Sequence, residues 1–487
     1  MVVPDFGQPA GQLVLCIGLA KNMSDVKRVR DPRQPDGFSA VSVTCHEEAV
    51  EVFGMKRNHI GSTEVLVVGA GPVGLWTAVL LSERGIPFQI LDRENRSGQR
   101  GYALTLHPST LKMFTEVGLL DEVMENGHRV DSISLYDGAI RRAELNLSKL
   151  TAPYPFLVVL PQSSLEEIFE RRLQQRGVDI SWNRSVADLE VQTDRVRVAV
   201  DKLESVAGGY AIATYERVLG GRVELEAKIV IGADGYRSSV RRLLGIPFVE
   251  VGTAESFAII EFESDVALGS HTCITLDQAT SSVVWPLAHG RYCGVFQLDP
   301  NEVKGTQVLR RVQQNIIIGS KTYPQIPDAI AVELVRRAAP WFGAVTIDIE
   351  GALVARFEHR LAQSFGKGPV WLCGDAARTT GPIGAQSANA GFAEAHDLVS
   401  RISQVRAGAA PDLMRGYGEE HLNEWRRILT GNAVISFGEK VNPWISECRE
   451  RLVADLPVSG ADLVQLLAQV DLGLPAMYVE QVTKKIA

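Results

Sequence analysis

At 487 residues the chain is long enough for about three domains, or for two large interleaved ones. A hydrophobic fraction of 45% and a charged fraction of 22% are those of a folded protein with sizeable cores, which excludes wholesale disorder. The net charge of −8 provides no broad basic field, so nucleic-acid binding is set aside.

The six cysteines, at positions 16, 45, 273, 293, 373 and 448, form no CxxC pair and no Cys/His cluster with zinc spacing. They read as free thiols in a reducing cytoplasm, with no metal site. Apolar runs such as those from Leu13 and Val65 are too short or too glycine-rich to span a bilayer, and no basic stretch precedes the first of them.

Residues 1–60 mix Pro4, Pro9, Pro32 and Pro35 with scattered charge and show no period, so a poorly ordered extension is expected; Met55 is an alternative start. From Thr63 the pattern sharpens. EVLVVGAG is a short buried strand ending in glycines, GPVGLWTAVLLSERG has helical spacing, and PFQILDRE is a second apolar run ending in an acid. Together they make a βαβ unit. Helices follow at PSTLKMFTEVGLLDEVMENG and PQSSLEEIFERRLQQRG, the latter with Ser163 or Ser164 as cap and Glu167 completing a capping box. Strands are expected between Asp179 and Lys228, some of them belonging to a substrate domain. IVIGADG is another buried strand entering a glycine turn. Residues 246–355 alternate like an antiparallel sheet. VWLCGDAARTTGPIGAQSANAG gives a strand, a glycine-rich loop and a helix opening near Gln386, and the remainder reads as helical.

The first constellation is Gly69, Gly71 and Gly74. Gly69 permits a tight turn, Gly71 leaves room for a pyrophosphate to approach the backbone, and Gly74 lets the helix pack against the strand. The helix amino terminus offers free N–H groups to phosphate. Asp92, eighteen residues after Gly74 and at the tip of the next strand, suits ribose hydroxyls. A hydroxyl-accepting acid there favours FAD or NAD over NADP, and spacing alone does not separate the first two.

Two further turns, Gly232-Ala233-Asp234-Gly235 and the stretch Gly374, Asp375, Pro382, Gly384, Gln386, Asn389, Gly391, follow in order. With the first motif they resemble the three signatures of the class A flavoprotein monooxygenases, which share the para-hydroxybenzoate hydroxylase fold. The resemblance covers about residues 63–430. It implies an α/β architecture: a Rossmann-type FAD-binding domain interleaved with an antiparallel-sheet substrate domain, then a helical C-terminal segment. The expected limits are 61–135, 156–245 and 356–405 for the FAD-binding domain, 136–155 and 246–355 for the substrate domain, and 406–487 for the helical region.

By position, the resemblance implies that Gly69, Gly71 and Gly74 line the pyrophosphate and that Asp92, with Arg93 beside it, takes the adenosine ribose. Arg100 and Gln162 would face the flavin side. Asp234 and Gly235 would serve both FAD and the nicotinamide donor, and Asp375, after Gly374, would hold the ribityl chain. Pro382, Gly384, Ala385 and Asn389 would surround the isoalloxazine ring, with Pro382, Gly384 and Asn389 as the catalytic environment. Three positions depart from the family pattern: Arg378 where His is frequent, Ser387 where Gly is frequent, and Glu394 where Asp is frequent.

The implied activity is an FAD-dependent monooxygenase that uses NAD(P)H and O2, through a flavin hydroperoxide, to hydroxylate an aromatic or polyketide-like small molecule held between the ring and the antiparallel sheet. A reductase, dehydrogenase or Baeyer–Villiger oxygenase on the same fold is one alternative, and a non-catalytic flavin-binding protein is another. The halogenase WxWxIP motif is absent, with Trp285 alone before Pro286. Monomer and homodimer both stay open.

Other residues carry two readings each. His107 precedes Pro108 and reads first as a cap or surface residue, with substrate contact as the alternative. His359 reads as structural. Trp285 and Phe296 suit either a pocket lining or core. Arg237 and Arg241 suit either phosphate attraction or a solvated helix face. Cys373 reads as inert core.

Overall fold

A computed structural model describes residues 58–95, 103–208, 214–277, 279–299, 315–318, 321–343, 346–429, 435–438 and 440–474, together with two short antiparallel strands, Lys27–Val29 and Ala40–Ser42. The expectation of a poorly ordered extension at residues 1–60 falls mostly outside the described residues, as does Arg100. The chain divides into two units, 1–57 and 58–487, and both large sheets belong to the second.

That second unit begins with β1 (Asn58–Val68), α1 (Pro72–Glu83) and β2 (Phe88–Leu91). Val65, Leu66, Val67 and Val68 are at most 4% exposed, as a strand covered on both faces requires. Pro72 opens α1, where its missing N–H costs nothing, and residues 74–81 of that helix are all buried. α1 is therefore a central helix with no solvent face along those two turns. Trp76 anchors it among Phe114, Phe169 and Phe392, with ring centroids 4.8, 5.7 and 6.5 Å away.

Next come β3 (Ala103–Leu106), α2 (Pro108–Glu116), β4 (His128–Val130), β5 (Ser132–Asp137), β6 (Ile140–Asn146), β7 (Leu157–Pro161) and α3 (Gln162–Gln175). The helix α3 starts earlier than the capping box predicts. Pro161 precedes it, no side chain caps it, and the Gln162 amide donates to Glu166 instead, at 2.8 Å. Strands β3, β7 and β4 form a small antiparallel sheet.

β8 (Ile180–Ser181), β9 (Arg184–Val191), β10 (Val196–Gly208) and β11 (Thr214–Gly232) complete most of an eight-stranded sheet. Its order is β8-β2-β1-β11-β10-β9, and β17 (Val370–Leu372) and the short Gly366–Lys367 strand lie off that path. This corrects the expectation that strands within 179–227 join the substrate sheet. β11 is long enough to pair antiparallel with β10 as far as Ala227 and then parallel with β17 from Val230, so one continuous strand keeps the hairpin in the first sheet.

After α4 (Ser239–Leu243), the second sheet has seven strands in the order β16-β12-β15-β14-β13-β5-β6. Its later members are β12 (Glu255–Ser264), β13 (His271–Leu276), β14 (Ser281–Pro286), β15 (Arg291–Leu298) and β16 (Ile347–Phe357), with α5 (Asp328–Ala338) between the last two. It takes up the chain from Ser132 rather than from 136, and one pair, β5 with β13, is parallel. Residues 248–250 leave it for a small separate sheet with 360–362 and 378–379.

The described chain closes with α6 (Gln386–Arg406), α7 (Asp412–Leu429), α8 (Pro443–Asp455) and α9 (Gly460–Ala468), plus a two-residue strand pair joining Ser436–Phe437 to Leu472–Gly473. Among the described residues, no helix is long and apolar enough to cross a membrane.

Candidate flavin site

The parallel strands β2, β1, β11 and β17 end side by side, at Leu91, Val68, Gly232 and Leu372. Backbone hydrogen bonds stitch the turns beyond them: Gly69 N donates to Leu91 O at 2.8 Å, Ala233 N to Val68 O at 2.8 Å, and Cys373 N to Gly232 O at 3.1 Å. Three motifs separated by up to three hundred residues thus meet at one carboxyl edge, where ligands of open α/β sheets bind.

The first turn leaves no room for side chains. Gly69 has φ +108°, and a Cβ on it would lie 2.3 Å from Ala233 O. A Cβ on Gly74 would lie 1.9 Å from Gly69 O. Gly71 differs: nothing stands within 4 Å of where its Cβ would be. It is the N-cap of α1, and no side chain caps that helix. The result is bare backbone N–H facing open space, which suits a pyrophosphate.

Asp92 reaches the same turn. Its Oδ2 accepts from Ala70 N at 2.6 Å and its Oδ1 from Glu94 N at 2.7 Å. Burial raises its pKa above the ordinary carboxylate value, against those two bonds. Arg93 forms an ion pair with Glu94 at 3.5 Å and is partly exposed.

Asp234 has an internal task as well. Its Oδ2 accepts from Ser239 N at 2.6 Å and from Val240 N at 3.2 Å, capping α4, while its Oδ1 is buried without a partner. Burial raises its pKa. Gly235 has φ +73°, the backbone freedom its turn requires. Arg241 is neither a solvated residue nor free for phosphate. Its side chain is buried over the Phe248 ring and donates to Ala376 O and Tyr236 O, each at 2.8 Å, and burial lowers its pKa to about 10. It ties the second motif to the third.

The third motif is organised by buried charge. Arg378 is fully buried and pairs with buried Glu394 at 3.1 Å. Glu394 also accepts from Gly374 N and from Trp425 Nε1, both at 2.8 Å. The other end of the guanidinium donates to Ser387 Oγ at 2.7 Å and to Ser387 O at 2.8 Å. Ser387 Oγ in turn donates to Asp375 Oδ1 at 2.5 Å. The three positions that depart from the family pattern are therefore one connected group. Ser387 lies inside the first turn of α6, and the left-handed backbone falls on Ala385, φ +50°.

Asn389 uses its whole amide on the chain. Oδ1 accepts from His107 N and Thr110 Oγ1, and Nδ2 donates to Thr105 O and Ala385 O, all within 2.7–2.8 Å. Every hydrogen-bonding position of that amide is occupied, so Asn389 clamps the loop to β3 and α2 and has no amide hydrogen bond left for a ring. His107 is buried, contrary to a surface reading. Its Nε2 meets Gly384 O at 3.2 Å, and burial lowers its pKa to about 3. The loop is held from the far side by the end of α8. A Cβ on Gly384 would lie 2.4 Å from Ala454 O, and Gln386 Nε2 donates to Leu456 O and Val458 O. Pro382 is partly exposed beside Ile383, which is buried. Gln162 opens α3 just past the Ala103–Pro161 pair, which ends the small sheet that also carries Thr105.

The seven-stranded sheet is covered on both faces. Trp285 is buried with Ile383, Ile445, Leu452 and Leu466, so α8 and α9 pack on the face expected to floor a substrate pocket. Phe296 is buried on the opposite face with Ala331 and Val335 of α5. Both aromatics are core. Sequence reasoning missed a polar group at the border of this sheet and the loop. His359 Nε2 lies 2.9 Å from Glu255 Oε2, Gln297 Nε2 donates to Glu255 Oε1 at 2.6 Å, and Ser281 N donates to Gln297 Oε1 at 2.8 Å. Nearby Asp455 has one buried unpartnered oxygen and a pKa pushed up to about 7 by burial. Apart from His359, which reads as structural, no sequence signal marks these residues, because they come from distant segments.

Open space at Gly71, the carboxylates of Asp92 and Asp375 along one edge, and a loop of small residues before α6 fit an extended dinucleotide. FAD meets that description.

A protein-family model described as "FAD binding domain" matches residues 62–431. The chain is 27% identical over 395 residues to the 6-methylpretetramide 4-monooxygenase of Streptomyces rimosus, covering 78% of this chain and 63% of that protein. It is 28% identical over 374 residues to a flavin-dependent monooxygenase of Mycobacteroides abscessus, covering 74% and 71%. The chain thus spans between about half and three-quarters of the curated relatives it matches. Among solved structures, the p-nitrophenol 4-monooxygenase PnpA of Pseudomonas putida DLL-E4 superposes with a TM-score of 0.63 at 21% identity, covering 84% of this chain and 97% of that one. The flavin-dependent monooxygenase PieE gives the same TM-score at 17% identity, covering 88% and 71%. These structures establish the fold, that of the FAD-dependent hydroxylases. With three glycine turns converging on one sheet edge and a family match over most of its length, the chain belongs to the FAD binding domain family.

Proposed function

We propose that the protein is an FAD-dependent monooxygenase that uses NAD(P)H and O2 to hydroxylate an aromatic or polyketide-like small molecule. The observation that carries this reading is the meeting of Gly69–Gly74, Asp234–Gly235 and Gly374–Asn389 at one carboxyl edge. Relatives named as monooxygenases of 6-methylpretetramide and pentachlorophenol, and as a hydroxylase of aklavinone, support the reaction and the substrate class.

When bound, FAD supplies the activation of oxygen, and the chain supplies position, charge and dryness. Gly71 and the start of α1 would receive the pyrophosphate, and Asp92 would accept from ribose hydroxyls. Asp375 would take the ribityl chain, and the positive dipole end at the start of α6 would stabilise negative charge on the ring. Ile383 and the apolar face carrying Trp285 exclude water beside the loop. In this reading, the segments that build the eight-stranded sheet and the helices around it form the cofactor domain, and the seven-stranded sheet with α5 forms the substrate domain. The buried, unpaired thiols of Cys273, Cys293, Cys373 and Cys448 support a reducing compartment such as the cytoplasm.

The test is direct. The purified protein should carry or take up FAD, show the oxidised-flavin spectrum, and consume NAD(P)H faster when the right phenolic or polyketide compound is added. Product formed under ¹⁸O2 should gain one labelled atom. Turnover without label would assign a reductase or dehydrogenase, and flavin binding without turnover on any compound would assign a binding protein.

A further inference from the structure

The Arg378 group is more elaborate than folding of the third motif demands. A single ion pair would neutralise the buried guanidinium, and Glu394 provides one. Yet the guanidinium also reaches across to both Ser387 oxygens, and Ser387 passes the contact on to Asp375. Asp375 is the most exposed member of this group, its side chain 49% exposed, while Ser387 is partly buried and Arg378 and Glu394 are 0% and 1% exposed.

The direction of the chain of bonds matters. Arg378 Nη1 donates to the Ser387 hydroxyl, which forces that hydroxyl to donate onward, and its proton goes to Asp375 Oδ1. A hydroxyl polarised by a cation is a stronger donor than a free one. The group engages Oδ1 of Asp375, on a side chain that is 49% exposed. The second guanidinium bond, to Ser387 O, fixes the first turn of α6 in the same stroke. One buried cation therefore sets the rotamer of an exposed carboxylate and the register of the helix that starts beside it.

We propose that Arg378, acting through Ser387, is a positioning residue that presents Asp375 Oδ2 as the acceptor for one hydroxyl of the ribityl chain of FAD. Arg378 does not touch the cofactor; its guanidinium bonds Glu394 and Ser387 and pairs with Asp375 Oδ1 directly only at the longer distance of 3.7 Å. The inference rests on the proposed function only in taking Asp375 as the ribityl contact. Lysine does not replace it, because a point donor cannot serve Glu394 and both Ser387 oxygens at once.

The experiment measures FAD affinity of the deflavinated full chain, by quenching of flavin fluorescence, for the wild type, Ser387→Ala, Arg378→Lys, Asp375→Ala and the double variant Ser387→Ala/Asp375→Ala. Each is titrated with FAD and with FAD analogues deoxygenated singly at the 2′, 3′ or 4′ ribityl hydroxyl. Ser387→Ala should weaken FAD binding about tenfold, the worth of roughly one charge-assisted hydrogen bond, and Arg378→Lys should weaken it at least as much. Ser387→Ala should have no effect with the one analogue that lacks the hydroxyl Asp375 takes, and no further effect in the Asp375→Ala background. A merely structural role would weaken FAD and all three analogues equally, and that result, or wild-type affinity in Ser387→Ala, overturns the inference while leaving FAD binding intact. Failure of the wild type to bind FAD would overturn the functional reading and this inference together. Thermal unfolding of the flavin-free Ser387→Ala protein, expected to match the wild type, separates the two roles when both affinities fall.

Discussion

At Gly69–Gly74 the site is shaped by backbone alone, whereas at Asp375–Glu394 it is shaped by buried charge. The end proposed to hold the nucleotide works by omission: no side chain fits at Gly69 or Gly74, and none obstructs Gly71. The end proposed to hold the ring works by addition, with Arg378, Ser387, Glu394 and Asn389 turning nearly all their polar atoms on one another or on backbone. The two designs should fail differently. A backbone cradle is insensitive to charge and intolerant of volume, while an ionic network tolerates small volume changes but not an unpaired charge.

The largest expected effect breaks the network. Arg378→Ala leaves Glu394 buried without its cation and should lower the stability of the flavin-free protein by about 3–5 kcal/mol, read by urea unfolding. Little or no loss would mean that water reaches Glu394 and that the ring end is not a dry ionic design.

A smaller effect concerns pH. Asp455 has its pKa raised from 3.8 to about 7 by burial, with Glu255 adding to the rise and Ser281 and Arg451 opposing it. The folded state therefore holds a proton between about pH 4 and 7 that the unfolded state has lost. Its contribution to stability falls as pH rises through that window, by up to about 4 kcal/mol. Asp455→Asn should match the wild type near pH 4 and exceed it at pH 8. Parallel stability curves for the two proteins would show that the carboxyl is solvated. His107 runs the opposite way: its depressed pKa of about 3 means stability is lost as pH falls below the ordinary histidine value of 6.5.

Gly74→Ala should cost about 1–3 kcal/mol through forced separation of α1 from the turn, with loss of FAD retention. Gly71→Ala sharpens the contrast most. Its Cβ would meet nothing in the protein and its φ of −75° is open to any residue, so flavin-free stability should be unchanged. FAD affinity should still drop by about tenfold or more, because the methyl occupies the pyrophosphate's place. Equal affinity for Gly71→Ala and wild type would move the phosphates elsewhere.

The nucleotide end was legible because its requirements are local. Gly69, Gly71, Gly74 and Asp92 sit within one βαβ unit, and strand, turn and helix follow from nearest-neighbour periodicity. The ring end was half legible. Asp375 and the helix opening at Gln386 could be read, but Arg378, Ser387 and Glu394 stood out only as three unrelated departures. Their meaning lies in side-chain reach across a helix turn, which spacing along the chain does not convey. His107 reads as a cap or surface residue; it does stand at the start of α2, but its contacts with Asn389 and Gly384 leave it buried. Trp285 and Phe296 were ambiguous because alternation shows that a strand has two faces and not what covers each; here α8 and α9 cover one and α5 the other.

The amino-acid sequence by itself determined the family, the order of the three turns and the backbone cradle, since each depends on residues a few positions apart whose conformations are restricted by sterics and hydrogen bonding. Only the tertiary structure decided which strands share a sheet, which face of the second sheet is filled by the C-terminal helices, and that one buried arginine joins three odd positions into a unit. Those outcomes depend on contacts between segments far apart in the chain, such as Trp76 with Phe392, where burial turns a polar side chain into an obligation to find a partner.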